Sequence, residues 1–133
     1  MAVTAKKILV VDDEPDAVAG ITAMLEADGY SVGSASDGEA GLAAARKERP
    51  DLILLDIQMP GSKGGFETFT ELRQDDSMKN IPVIFVTGVG ERTGIHFSAE
   101  EIKDYLGPEP EGYIEKPVDA KRLLKTIKKV LGA

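Results

Sequence analysis

A doubly wound α/β fold, with parallel strands alternating with helices, is what this sequence predicts. Three observations carry that expectation. Short apolar runs recur with turn or acidic residues at their ends. Helical periodicity occupies the stretches between them. The runs are continuous rather than alternating, as a parallel sheet covered on both faces requires.

The elements follow in order. Ile8–Val11 reads as the first strand, and Pro15 to Ala27 as a helix with Val18, Ile21, Met24 and Leu25 on one side; Gly29 suits a left-handed cap. Tyr30–Ala35 is a weaker strand. Asp37 caps an Ala-rich helix from about Gly38 to Arg49, which Pro50 closes. Leu52–Leu55 is the third strand. Phe66 to Gln74 repeats with Phe66, Phe69 and Leu72 on one face, and Ile81–Val86 is the fourth strand. Ser98 with Glu101 forms a capping box for a helix through about Leu106. Tyr113–Ile114 is the short fifth strand. Asp119 caps a last helix whose buried stripe is Leu123, Leu124, Ile127, Val130 and Leu131. Five strands therefore alternate with five helices, and residues 1–133 read as one domain with no linker or repeat.

Composition narrows the function. With 133 residues and 42% apolar content, the chain buries one core without disulfides or a structural metal. The absence of cysteine removes thiolate chemistry and fits a reducing compartment. A net charge of −7, from 23 acidic and 16 basic side chains, opposes binding to nucleic acid or to an anionic membrane. No stretch approaches the roughly 18 apolar residues of a membrane span, and Ile8–Val11 is too short for a signal-peptide core. A cytoplasmic protein is expected.

In an open doubly wound sheet, ligands bind beyond the carboxyl ends of the strands. Asp12, Asp13 and Glu14 follow the first strand, Asp56 the third, Thr87 and Gly88 the fourth, and Lys116 and Pro117 the fifth. Singly, each has an ordinary use: a helix cap for Asp12 or Asp13, a turn for Asp56, a solvated side chain for Lys116. Together they gather three carboxylates, a hydroxyl and an ammonium on one rim. Three clustered carboxylates need a neutralising charge. Mg²⁺ suits a site of few carboxylates that also meets phosphate oxygens, and Lys116 adds a compact cation. An aspartate in that setting is a nucleophile that forms an aspartyl phosphate.

The segments ILVVDDEPD (8–16), DLILLDIQMPG (51–61), IPVIFVTG (81–88) and GYIEKP (112–117) resemble the response-regulator receiver family, near its chemotaxis-type single-domain members. The resemblance implies a flavodoxin-like three-layer sandwich with strand order 2-1-3-4-5. It implies that Asp56 is phosphorylated and that Asp12 and Asp13 bind Mg²⁺, Asp13 directly, with the Gln58 carbonyl completing the protein's share of the shell. It further implies that Thr87 is the switch hydroxyl, Lys116 the phosphoryl-binding lysine and Tyr113 the switch aromatic, and that Lys116–Pro117 is a cis peptide. Expected partners are a sensor histidine kinase or histidine phosphotransferase and a downstream effector protein, with the chain a monomer or weak homodimer. The function so implied is a two-component phosphoacceptor that is no enzyme beyond its own phosphorylation and dephosphorylation. The alternatives are a phosphorelay intermediate and an aspartyl-phosphate-type phosphohydrolase. Such hydrolases place a second aspartate two residues after the nucleophile, where this chain has Gln58.

Two stretches depart from the family pattern. The loop Pro60–Gly65 is one residue longer than usual. The segment from Thr87 to Lys116 is several residues longer, with GERTGIHFS before the expected fourth helix and GPEPEG after it. The last helix carries Lys121, Arg122, Lys125, Lys128 and Lys129, which reads as a solvated face or a docking edge. His96, the one histidine, falls in an expected loop.

Overall fold

A computed structural model describes residues 6–56, 65–87, 111–115 and 118–132. The elements are β1 (Lys7–Val11), α1 (Pro15–Ala27), β2 (Ser31–Ala35), α2 (Gly38–Glu48), β3 (Leu52–Asp56), α3 (Gly65–Gln74), β4 (Val83–Thr87), β5 (Gly112–Glu115) and α4 (Ala120–Leu131). All neighbouring strands are parallel, in the order β2-β1-β3-β4-β5. Four helices lie among the described residues; the helix expected at 98–106 falls outside them, as do the Lys116–Pro117 bond and His96.

The strands read as unbroken apolar runs because both faces of the sheet are covered. Alternate residues enter different cores. Leu9, Val11, Ile53, Leu55, Val83 and Phe85 pack with Leu42 of α2 and Phe69 and Leu72 of α3. Ile8, Val10, Leu52, Leu54, Ile84 and Val86 pack with Ile21 and Leu25 of α1 and Leu123 and Ile127 of α4. The sheet is thus the middle of three layers. β2 is weaker in sequence because it lies at an edge, where none of its residues is fully buried.

Helix ends follow local chemistry. Asp37 accepts from the Ala40 amide at 2.7 Å, and Asp119 accepts from the Arg122 amide at 2.9 Å. α1 begins differently: Pro15 takes the first helical position and Glu14 makes no side-chain cap. Gly29 turns the chain after α1 at φ +91°. At Gly41 a Cβ would sit 3.0 Å from the Val11 methyls, so the missing side chain lets α2 lie close on β1.

Candidate phosphoacceptor site

Strand register builds the site. β1 and β3 pair with Val11 opposite Leu55, so the next residues, Asp12 and Asp56, leave the sheet side by side. Both follow the parity of Ile8 and Val10, or Leu52 and Leu54, the residues of the α1–α4 face. Asp56 is itself the last residue of β3 and is 1% exposed; Asp12 is 3% exposed. Asp13 is half-buried. Each of Asp12, Asp13 and Asp56 offers a carboxylate oxygen, and these three oxygens lie within 4.8 Å of one another.

The backbone holds this cluster open. The Asp12 amide donates to the Ala35 carbonyl at 3.1 Å, tying the end of β1 to the end of β2. Oδ1 of Asp12 accepts from the Glu14 amide at 2.9 Å. Asp12 is therefore not the cap of α1, whose N-cap position is Glu14; its carboxylate turns onto the Glu14 amide just before the helix and also stands in the cluster. Oδ1 of Asp13 is buried and has no hydrogen-bond partner among the described residues.

At about 4.8 Å and an effective dielectric near 20, each carboxylate pair repels by roughly 3–4 kcal/mol. Three hard oxygens at that spacing, one of them buried without a proton donor, fit a hard divalent ion.

The remaining expected residues divide. β4 lies beside β3, with Asp56 opposite Val86, so Thr87 stands one residue beyond Asp56 on the neighbouring strand. Thr87 in turn pairs with Glu115, the residue before Lys116. Lys116, Pro117 and Gln58 lie outside the described residues. Tyr113 is in β5, its ring edge-to-face on Phe85 with centroids 6.0 Å apart. Its hydroxyl is buried and makes no hydrogen bond among the described residues, and burial raises the phenol above its ordinary pKa.

Sequence reasoning missed two features here. Phe85 carries no signal in the sequence beyond its place in a strand, yet it bridges Tyr113 to Phe69 of α3, whose ring centroid is 5.0 Å from its own. The segment after β2 shows only a helix cap in the sequence, yet Ser36 and Ala40 border a cavity that also touches Asp12 and Asp13. The strand-end rule that singled out the acidic pair applies equally to the end of β2, and that signal was in the sequence.

Parallel order 2-1-3-4-5, with an acidic cluster at the carboxyl ends of the two central strands, defines a phosphoacceptor class of α/β domain. The family model for the response regulator receiver domain matches residues 8–128, and the chain belongs to that family. It is 42% identical over 126 residues to protein PilH of Pseudomonas aeruginosa, covering 94% of this chain and 97% of PilH. It is 35% identical over 127 residues to the polar-differentiation response regulator DivK of Brucella anthropi, covering 96% and 97%. Among solved structures, chemotaxis protein CheY4 of Vibrio cholerae superposes with a TM-score of 0.79 at 31% identity, over 96% of this chain and 99% of that one. The chain is thus a response regulator of the two-component type, and its role as a phosphoacceptor follows from its family.

Proposed function

We propose that Asp56 is the residue that accepts the phosphoryl group, from a histidine kinase or a histidine phosphotransferase. The observation that carries this is the meeting of Asp12, Asp13 and Asp56 within 4.8 Å at the carboxyl ends of β1 and β3. A carboxylate oxygen of Asp56 attacks the phosphorus of a phosphohistidine. The new P–O bond forms as the P–N bond breaks, and the imidazole leaves with the electron pair and takes a proton. Asp12 and Asp13, with the Gln58 carbonyl, are assigned to hold Mg²⁺. Bound there, the ion offsets negative charge on the carboxylates and on the phosphoryl oxygens.

The other roles belong to this chain's own groups. Asp12, fixed by the Glu14 amide and the Ala35 carbonyl, keeps the acidic pair from collapsing onto the helix start. The Thr87 hydroxyl is assigned as a donor to a phosphoryl oxygen, and Lys116 as its counter-charge. Tyr113 is assigned to follow Thr87 and to alter the surface seen by a downstream effector, with Pro117 fixing the turn after Lys116. No described helix is long and apolar enough to cross a membrane; we place the reaction in the cytoplasm, where two-component kinases present their phosphohistidines.

Acetyl phosphate with Mg²⁺ is expected to add one phosphoryl mass to the protein, read by intact mass spectrometry. Asp56→Ala is expected to remove that gain. An unmodified wild type, or a modified Asp56→Ala, would refute the assignment.

A further inference from the structure

The exposed surface of α4 carries one sign of charge. Its exposed residues are Lys121, Arg122, Lys125, Lys128 and Lys129, and no others. None of the chain's 23 acidic residues lies on this helix, so the acidic excess sits elsewhere. Among the described residues only Lys128 of these five has an ion-pair partner, Asp28 at 3.6 Å. The arrangement works against the helix. Lys121 with Lys125, and Lys125 with Lys129, set like charges one turn apart, which is destabilising. Lys121 and Arg122 stand in the first turn, where the helix dipole favours anions. The dipole accounts only for Lys128 and Lys129 at the other end. A face that served solubility alone would mix signs, as α2 does with Glu39, Arg46 and Lys47.

The chemistry of the face selects its occupant. Leu123 and Ile127 are fully buried against the sheet, so the apolar stripe of α4 is committed to the core. Protein interfaces centre on aromatic or aliphatic anchors, and no exposed position of α4 supplies one. Four of the five cations are lysines, flexible point charges rather than the planar fork that grips a single carboxylate or phosphate. From Lys121 to Lys129 they spread over about 12 Å of helix. Such a face suits a broad, fluid array of anions. The acidic excess on the rest of the chain does not cancel it, because charges more than about 8 Å away are screened at physiological salt. α4 covers one face of the sheet, while the cluster of Asp12, Asp13 and Asp56 opens at the carboxyl ends of the strands, so a surface lying along α4 leaves that cluster uncovered. We infer that α4 is a reversible docking face for an anionic lipid bilayer, held by charge without insertion. The inference goes beyond the phosphoacceptor reading and does not depend on it.

The test is co-sedimentation of the unphosphorylated protein with vesicles of phosphatidylcholine alone and of equal parts phosphatidylcholine and phosphatidylglycerol. At about 0.1 M salt the protein is expected to pellet with the mixed vesicles only, and at about 1 M salt with neither. Each lysine near an anionic bilayer strengthens partitioning about fivefold. The triple variant Lys121→Gln, Lys125→Gln, Lys129→Gln is therefore expected to bind about 100-fold more weakly. Glutamine is as good a helix former as lysine, and the like-charge contacts are relieved, so α4 persists. A control triple, Lys6→Gln, Lys47→Gln, Lys79→Gln, removes the same charge from exposed positions off α4 and is expected to hold binding within about twofold. Equal loss in the two triples would make net charge the cause and overturn the inference. Pelleting with phosphatidylcholine alone, or binding that survives about 1 M salt, would mean apolar insertion and overturn it as well. Absence of binding to the mixed vesicles also overturns it. If a labelled polyglutamate peptide then binds the wild type and not the α4 triple, the face belongs to an acidic protein instead.

Discussion

Tyr113 concentrates the residue-scale physics of β5. Its ring is packed on Phe85, but its hydroxyl is buried without a partner among the described residues. Leaving such a group unsatisfied costs about 1–3 kcal/mol. Tyr113→Phe is therefore expected to raise stability by about 1 kcal/mol, read as a higher urea midpoint at an unchanged slope. The pH dependence has a definite sign. Burial raises the Tyr113 pKa, so the fold favours the neutral phenol. That contribution is complete below the unfolded value near 10 and is lost as pH rises through the folded value. Tyr30 acts in the same sense, through burial first and Asp28 second, with Lys128 opposing. Above about pH 10 the urea midpoint is expected to fall, and to fall less steeply in Tyr113→Phe. Parallel slopes in the two proteins would contradict this account. The sequence marked Tyr113 by its place before Lys116, but the buried hydroxyl depends on Phe85 and on packing that no local pattern encodes.

Between elements, α3 is joined to the β4–β5 edge by Arg73. The Arg73 guanidinium lies 4.8 Å from the Phe69 ring centroid. It donates to the carbonyls of Lys79 and Ile81 at 3.1 and 2.8 Å and to Oε1 of Glu111 at 2.5 Å. The same Glu111 oxygen accepts from the Val83 amide at 2.7 Å, and the Glu111 amide donates to the Val83 carbonyl at 2.8 Å. One fork thus pins the amino ends of β4 and β5, two residues before Tyr113. Arg73→Ala is expected to cost about 2–3 kcal/mol in urea unfolding. Arg73→Lys should recover less than half, because an ammonium lacks the planar fork. A loss near zero for Arg73→Ala would show the contacts to be incidental. This clamp was illegible in the sequence because Arg73 and Glu111 are 38 positions apart and neither carries a local signature. Caps were legible because they are local: Asp37 and Asp119 each meet an amide three residues on. The strand core was legible for a different reason, since burial on both faces leaves Leu52–Leu55 no polar alternation to mimic another structure. β5, four residues at an edge, left the faintest trace.

For the whole molecule, the fold assembles a charge cluster that opposes its own stability. The two packed cores and the β1–β3 register force Asp12 and Asp56 together, and α1 begins too soon after them for Asp13 to turn far away. The sequence revealed which residues meet because topology brings strand ends to one rim. It did not reveal how closely, since spacing at the rim depends on register. With three carboxylate oxygens within 4.8 Å, the free protein holds repulsion that a bound cation relieves. Two opposite effects of Asp13→Asn follow. In EDTA, removing one charge is expected to stabilise the fold by about 1–2 kcal/mol, less than the bare pair repulsion because Asp13 is only half-buried. In Mg²⁺ the wild type gains RT ln(1 + [Mg²⁺]/Kd), about 1.4 kcal/mol at tenfold excess over Kd, and the variant gains little. The unfolding midpoints of the two proteins should therefore differ most without metal and converge or cross as Mg²⁺ is raised. If Asp13→Asn lowered stability in EDTA, the Asp13 carboxylate would be a structural anchor, and repulsion within the cluster would not govern its stability.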